Sequence, residues 1–233
     1  MSVTLPARAL LFDCDGVLVD SDKSVIASWS RWAQVYGLDP DEVAAAVHGR
    51  RSADTVRLLI PPALRAEALT AIDAFELEDA ARVTAVPGAA DLLTSLPQGT
   101  WAVVTSGTRA LATARLKASG LPVPFVLVTA DDVTDGKPHP EGYLSGAKAL
   151  GTPIEHTVVL EDSTSGIEAA RRAGVGGVVG VGERALVTDA DVVVADLRSL
   201  RWSGEGLLSA ENHLRPVTPP ARTPPADSAA QTR

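Results

Sequence analysis

The sequence has 233 residues, of which 45% are hydrophobic, and a formal net charge of -8 at pH 7. A chain of this length can form one large domain or two small ones around a substantial core. Its acidic balance, without a basic patch, argues against a nucleic-acid partner. No run of about 18 apolar residues occurs, so the sequence predicts neither a membrane span nor a membrane partner.

The only cysteine is Cys14. An intrachain disulfide is therefore excluded, and a reducing cytoplasmic compartment is the simplest setting. Residues 1–8 lack the basic and apolar segments of a signal peptide. Cys14 stands between two carboxylates that disfavour its thiolate, so we do not expect a nucleophile there. We predict a cytoplasmic protein and take a monomer as the default.

The first element in chain order is a short apolar run, Ala9–Phe12, that leads into Asp13, Asp15 and a turn at Gly16. The run suits a buried strand of a parallel sheet, where ligands gather beyond the carboxyl ends of the strands. Buried bare carboxylates are costly, so a bound cation is their natural partner. The alternative is a turn that uses aspartate for its local hydrogen bonding.

Residues 21–83 carry helix signals and no strand signal. Ser21 or Asp22 can cap a first helix, Asp39 with Pro40 begins a second, and Ser52 can cap a third. The break at 48–51 separates the second helix from the third. The helices are predicted to run from 22 to 36, from 40 to the break at 48, from 52 to 59 and from 63 to 82.

After Pro87-Gly88, strand and helix signals alternate, which favours a parallel α/β sheet with helices on both faces. We predict a Rossmann-like core formed by residues 1–20 and 84–211, an inserted all-helical domain at 21–83, and a disordered proline-rich tail at 212–233. The predicted strands are Trp101–Thr105, Phe125–Val128, His156–Leu160, Val178–Val179 and Val192–Val194, and the predicted helices are Ala89–Leu96, Arg109–Ser119, Pro140–Leu150 and Ile167–Ala173.

Polar groups follow several of these strands, and in a parallel sheet they meet at one edge. Carboxylates, one lysine and a hydroxyl at that edge would suit Mg²⁺ and a phosphate group. Each residue also has an ordinary interpretation, namely a surface lysine, a strand-end cap or a solvated acidic loop. The residues expected to converge are Asp13, Asp15, Thr105, Lys137, Glu161 and Asp162.

Four stretches in this order resemble the motifs of the haloacid dehalogenase superfamily, over about residues 8–200. The insert at 21–83 resembles the small α-helical cap of that family. Within the family, the stretches 48–51, 105–109 and 136–143 are similar to those of sugar and polyol phosphatases, of the type that acts on 2-deoxyglucose 6-phosphate or glycerol phosphates. The four motifs are Asp13-Cys14-Asp15-Gly16-Val17-Leu18, Val103-Val104-Thr105-Ser106-Gly107, Gly136-Lys137-Pro138-His139-Pro140 and Leu160-Glu161-Asp162-Ser163.

The resemblance implies a Mg²⁺-dependent phosphatase that acts on a small phosphorylated metabolite. Asp13 would be the nucleophile that becomes a phospho-aspartate, and Asp15 would exchange the proton with the leaving alcohol and with water. The metal would be held by Asp13, the carbonyl of Asp15, and Asp162, with Glu161 as a further acid. The remaining assignments are Lys137 as a catalytic cation, Thr105, Ser106 and Gly107 around the phosphate, and His48, Arg50 and Arg51 as substrate contacts or solvated turn residues.

Three alternatives share the fold. A phosphosugar mutase, like β-phosphoglucomutase, would return the phosphate to sugar. The stretch Glu141-Gly142-Tyr143 and the arginine-rich loop at 50–51 favour hydrolysis over it only moderately. A dehalogenase lacks the second acid of the first motif, so Asp15 argues against that class. A non-catalytic regulator is disfavoured because every catalytic position holds a competent residue.

Overall fold

The computed structural model describes residues 3–209 and 213–215. Its centre is a seven-stranded sheet in which all neighbours are parallel except for one edge strand, β12. The predicted Rossmann-like α/β class is therefore confirmed. From edge to edge the strands are β12 (His213–Arg215), β9 (Val192–Val194), β8 (Gly177–Val181), β7 (Thr157–Glu161), β2 (Ala9–Phe12), β5 (Trp101–Val104) and β6 (Leu127–Val128).

Every residue of β2 and β7 is buried, as expected for central strands with both faces covered. Alternation along β2 sends Leu10 and Phe12 into one apolar cluster and Leu11 into the other. The first cluster includes residues of α5 (Ala89–Ser95) and α6 (Arg109–Ala118), and the second includes residues of α7 (Glu141–Ala149) and α8 (Thr164–Ala173). Helices thus cover both faces, and the ends of β2 and β7 open at one edge.

The helical insert contains α1 (Asp22–Tyr36), α2 (Pro40–Val47), α3 (Ser52–Leu59) and α4 (Arg65–Asp79). It has an apolar cluster of its own, which includes Trp29, Trp32 and Ile72. The Trp32 indole is fully buried and donates a hydrogen bond to the Ala68 carbonyl at 2.8 Å, which joins α1 to α4. We refer to this insert as the cap, because it lies over the edge where β2 ends.

The two connections between the cap and the sheet pair with each other. They form a short antiparallel ribbon of β3 (Val19–Asp20) and β4 (Thr84–Ala85). A second small antiparallel sheet consists of β1 (Val3–Pro6), β11 (Gly206–Ser209) and β10 (Leu200–Trp202). The sequence signals missed these strands, because their pairing partners are distant in the chain and the alternation along them is short.

Several local predictions are corrected. Ser52 is the first residue of α3 and does not cap it, because Arg51 holds the N-cap position and the Ser52 hydroxyl donates to Glu76. Ser21 precedes α1 without a capping hydrogen bond. The strand predicted at 125–128 contains only Leu127–Val128, and the Phe125 residue before it is 95% exposed. The predicted fourth helix is α-helical only from 65 to 79, with 3₁₀ turns at 62–64 and 80–82.

The predicted division into a core (1–20 and 84–211) and a cap (21–83) stays a prediction. Most of the predicted disordered tail, 212–233, lies outside the described residues; within it, His213–Arg215 pair with β9 as an edge strand. Within the described part of the chain, no helix is both long and apolar enough to cross a membrane.

The buried face of α4 generates a stability prediction. Ile72→Ala should lower the free energy of unfolding by about 2–5 kcal/mol, because Ile72 is fully buried in the cap cluster and the change leaves a cavity. Leu77→Ala on the same helix is the matched control. Leu77 is 48% exposed, so its change should stay within about 0.5 kcal/mol in urea unfolding. If the two variants lose the same free energy of unfolding, burial of Ile72 in the cap cluster does not stabilise the fold.

Candidate active site

Asp13 is placed by the end of β2, in the centre of the sheet, and its side chain is 7% exposed. Lys137, from the loop before α7, donates from Nζ to Oδ1 of Asp13 at 2.6 Å and to Oε1 of Glu161 at 2.5 Å. Glu161 is the last residue of β7, the strand beside β2. The predicted convergence of these three residues, two at strand ends and one in a loop, is therefore observed.

Glu161 uses both of its oxygens inside the protein. Oε1 also accepts from the Tyr143 hydroxyl at 3.2 Å, and Oε2 accepts from the backbone N–H of Ser163 at 2.7 Å and from its hydroxyl at 2.9 Å. These contacts and Lys137 outweigh burial and lower the pKa of Glu161 below its ordinary value. Glu161 therefore serves to hold Lys137 and the loop at 161–163, and it offers little to a metal directly.

One carboxylate oxygen from each of Asp13, Glu161 and Asp162 lies within 4.8 Å of the other two. Burial raises the pKa of Asp13 well above its ordinary value, with further rises from Glu161 and Asp162 and an opposing effect of Lys137. Burial and Glu161 likewise raise the pKa of Asp162 to about 7, against the opposing effect of Arg184. Three buried acids with one buried lysine leave excess negative charge. A divalent cation with oxygen ligands would neutralise that charge, so the residues present fit Mg²⁺.

The turn at Gly16 brings Asp162 close to the first motif. Gly16 has φ +78°, and a Cβ there would lie 2.3 Å from Oδ2 of Asp162. Glycine is thus required twice at this position, for the left-handed backbone and for the close approach of the carboxylate. The side chain of Asp15 is not part of the cluster of three acids and is bonded to Ser21 and Arg115, while the metal contact predicted through its backbone carbonyl stays a prediction.

A pocket between the cap and the sheet edge contains the predicted phosphate loop and part of the predicted cap loop. Asp13, Asp15 and Asp162 line it, together with Thr105, Ser106 and Gly107 from the turn after β5 and with His48 and Arg50 from the break between α2 and α3. Thr105 is buried, and its hydroxyl accepts from the Gly107 N–H at 3.1 Å, which shapes the turn. Burial and Arg184 lower the pKa of His48, which favours its neutral form.

Arg51 is placed differently from Arg50. Its guanidinium bonds Asp54 and donates to the carbonyls of Val133 (3.2 Å) and Thr134 (2.9 Å). It lines a second pocket, which shares Thr105 and Ser106 with the first. The geometry therefore does not support the predicted substrate contact for Arg51, because its donors already join the cap to the loop before Lys137.

Other contacts also hold the cap against the sheet edge. The Gly49 carbonyl accepts from the hydroxyls of Ser106 at 3.0 Å and Ser165 at 3.2 Å. Gly49 has φ +71°, and a Cβ there would lie 2.3 Å from the Ser163 hydroxyl oxygen. The cap therefore contacts directly the loops that contain the site residues.

Two arginines of the site were missed by the sequence interpretation. Arg115 on α6 bonds Asp15, and Arg184 bonds Asp162 and Asp22. Arg115 shares a helix face with Leu111, Ala112 and Leu116, and a charged residue on an apolar face is a signal that could have found it. Arg184 lies in a 3₁₀ helix, Glu183–Val187, after β8, where the sequence holds no comparable signal. Burial raises the pKa of the Cys14 thiol, in agreement with its predicted lack of reactivity.

Residues 10–180 match the family model described as "Haloacid dehalogenase-like hydrolase". The chain belongs to this family, and the resemblance predicted from the motifs is confirmed. It is 41% identical over 172 residues to hexitol phosphatase A of Escherichia coli (strain K12), covering 72% of this chain and 80% of that protein. It is 35% identical over 184 residues to glycerol-1-phosphate phosphohydrolase 2 of Saccharomyces cerevisiae, covering 74% of each. These relatives identify the chain as a phosphatase.

A solved structure, β-phosphoglucomutase from Clostridium difficile, is similar with a TM-score of 0.74 and 21% identity, covering 84% of this chain and 94% of that one. At this identity the likeness concerns the fold alone. It confirms the arrangement of a parallel sheet with surrounding helices.

The acidic cluster generates a metal-binding prediction. Asp162→Asn should weaken Mg²⁺ binding at least about tenfold in calorimetric titration, because it removes a carboxylate from the cluster with Asp13. The control is Asp135→Asn, in the exposed group of Asp135, His139 and Glu141. If Asp135→Asn weakens high-affinity Mg²⁺ binding and Asp162→Asn does not, the metal is bound elsewhere.

Proposed function

We propose that this phosphatase hydrolyses monophosphate esters of small sugars or polyols, with Mg²⁺ and through a phospho-aspartate on Asp13. The observation that carries the proposal is the buried Asp13–Lys137 pair, of which Asp13 lines the same pocket as Asp15 and Thr105. The hexitol phosphatase and glycerol-1-phosphate phosphohydrolase relatives support the substrate class. A cytoplasmic monomer remains the prediction from the sequence.

In the first step, a carboxylate oxygen of Asp13 attacks phosphorus and the bond from phosphorus to the alcohol oxygen breaks. Asp15 gives its proton to that oxygen, so that the alcohol leaves neutral. Lys137 holds Oδ1 of Asp13 at 2.6 Å and restricts the rotation of the carboxylate. The turn at 105–107 supplies a hydroxyl and backbone N–H groups for the phosphate oxygens.

In the second step, water attacks phosphorus of the phospho-aspartate and the bond to the Asp13 oxygen breaks. Asp15, now ionised, takes the proton of the attacking water, so one carboxylate serves both directions. Asp13 and Asp162, with the backbone carbonyl of Asp15, would hold Mg²⁺. The bound ion would screen the repulsion between the attacking carboxylate and the phosphate.

The cap side of the pocket supports recognition of a small polar alcohol. Arg50 is exposed and His48 half-buried, while Val25, Trp29 and Val47 add an apolar wall. The acids Asp22 and Glu76 line the same side. Arg184 and Arg115 pair with these two acids, so the phosphatase relatives, and not the charge of the pocket, make hydrolysis the better-supported activity over a mutase. Supplying a sugar bisphosphate and finding an isomerised monophosphate would instead favour the mutase.

The nucleophile assignment predicts that Asp13→Asn keeps the fold and retains less than about a hundredth of the wild-type kcat, because the amide cannot form the covalent intermediate. A panel of sugar and polyol phosphates with Mg²⁺ measures the activity, and thermal unfolding checks the fold. Asp135→Asn, at an exposed position, is the isosteric control. Residual activity well above a hundredth would exclude Asp13 as nucleophile.

The two cap arginines predict contrasting effects. Arg50→Ala should lower kcat/KM about tenfold or more for the preferred sugar phosphate but little for p-nitrophenyl phosphate, because the small ester is held mainly by the core. Arg51→Ala should lower both to a similar extent, because Arg51 joins the cap to the loop of Val133 and Thr134. A selective loss in Arg51→Ala alone would reverse the two roles.

A further inference from the structure

Arg115 connects the candidate acid–base residue to the cap. Its side chain is 2% exposed. Nη1 donates to Oδ1 of Asp15 at 2.9 Å, and Nη2 donates to Oε1 of Glu76 at 3.3 Å. Asp15 belongs to the turn after β2, whereas Glu76 lies on α4 of the cap. One guanidinium therefore spans the boundary between the two parts of the chain.

Asp15 is held through one oxygen only. Its Oδ1 accepts from Arg115 and also from the Ser21 hydroxyl at 2.7 Å. Within residues 3–209, no protein group donates a hydrogen bond to Oδ2. Two donors on the same atom restrict the rotation of the carboxylate and leave Oδ2 free to exchange a proton in the pocket that Asp15 lines.

Glu76 is in turn held within the cap. Its Oε2 accepts from the Ser52 hydroxyl of α3 at 3.0 Å, and its side chain is 6% exposed. Although burial raises the pKa of Glu76, Arg115 and Ser52 oppose that rise. Because Glu76 lies on α4 of the cap, its contact with Arg115 depends on the position of the cap.

This network is a costly way to stabilise a fold. The Nε–H of Arg115 is buried, and no described residue accepts from it. Buried ion networks contribute little net stability, and apolar residues of similar size replace them in other proteins without loss. The arrangement is thus better explained by what it does to Asp15 than by stability.

We propose that Arg115 is a positioning residue for Asp15, and that Glu76 holds Arg115 in place while the cap covers the site. Withdrawal of the cap would take Glu76 away and leave the guanidinium with one carboxylate partner instead of two. Asp15 is then best aligned when the site is covered and water is excluded. The inference rests on the proposed function, since it requires Asp15 to protonate a leaving alcohol.

The test removes both charges together, with Arg115→Met and Glu76→Met in one variant, so that neither is left buried without its partner. We expect kcat/KM for glycerol 1-phosphate to fall about 10–100-fold, because alcohol departure needs the proton of a well-placed acid. For p-nitrophenyl phosphate, the loss should be less than about threefold, because nitrophenolate leaves without a proton. Inhibition by inorganic phosphate should be unchanged.

Two further variants separate positioning from a structural role. In an Asp15→Asn background, adding Arg115→Met should cause no further loss on glycerol 1-phosphate, because Arg115 acts through Asp15. Glu76→Gln alone, which keeps size and hydrogen bonding, should show the same selective loss to a smaller extent. If the double variant does not fold, Glu76→Gln alone tests the inference. Arg171→Met, which breaks the Arg171–Asp191 pair of α8, is the control and should spare both substrates.

Equal losses on both esters, no loss on either, or a further loss in the Asp15→Asn background would overturn the inference. These outcomes leave the proposed function intact, provided that the wild type hydrolyses glycerol 1-phosphate and Asp13→Asn does not. If the wild type hydrolyses no ester of the sugar and polyol phosphate panel, the proposed function is overturned and this inference with it.

Discussion

The site depends on one buried cation placed between two carboxylates. Lys137 bridges Asp13 and Glu161, which end neighbouring strands, and all three side chains are less than a tenth exposed. Although burial alone lowers the pKa of Lys137, the two acids hold it well above its ordinary value, so the ammonium stays charged. Bare buried charges are costly, so the charged groups are also hydrogen-bonded. The Glu161 carboxylate accepts from the Tyr143 hydroxyl on α7 and from the backbone N–H of Ser163.

Two arginines repeat a common arrangement around that centre. Arg115 joins Asp15 of the core to Glu76 of the cap, and Arg184 joins Asp162 of the core to Asp22 at the start of the cap. Each arginine therefore connects an aspartate of the candidate active site to the cap. Arg51, which donates to backbone carbonyls, and the Gly49 carbonyl add hydrogen-bonded anchors on the loops before Lys137 and after β5. Cap position and site geometry are consequently linked through several independent contacts.

The strand-end residues could be predicted because parallel strands place their carboxyl ends at one edge, whatever the remaining details of packing. Asp13, Thr105, Lys137 and Glu161 follow from that rule. The helices of the cap follow from helix-capping residues and from the periodicity of apolar residues. Ser52 was misassigned as a cap because a serine before a helix has two uses, and only the tertiary contact with Glu76 decided between them. The short strands at 3–6 and 200–209 escaped because their pairing is long-range.

The sequence by itself determined the order of the motifs, the α/β class and the acids and lysine at the sheet edge, since these depend on local patterns and on a general rule of sheet topology. Only the tertiary structure decided what the arginines do. A guanidinium on a long flexible stem reaches partners far away in the chain, as Arg115 and Asp15 do across 100 positions. For that reason the adjacent residues Arg50 and Arg51, equivalent in sequence, have different places: one lines the pocket of Asp13 and the other clamps the cap.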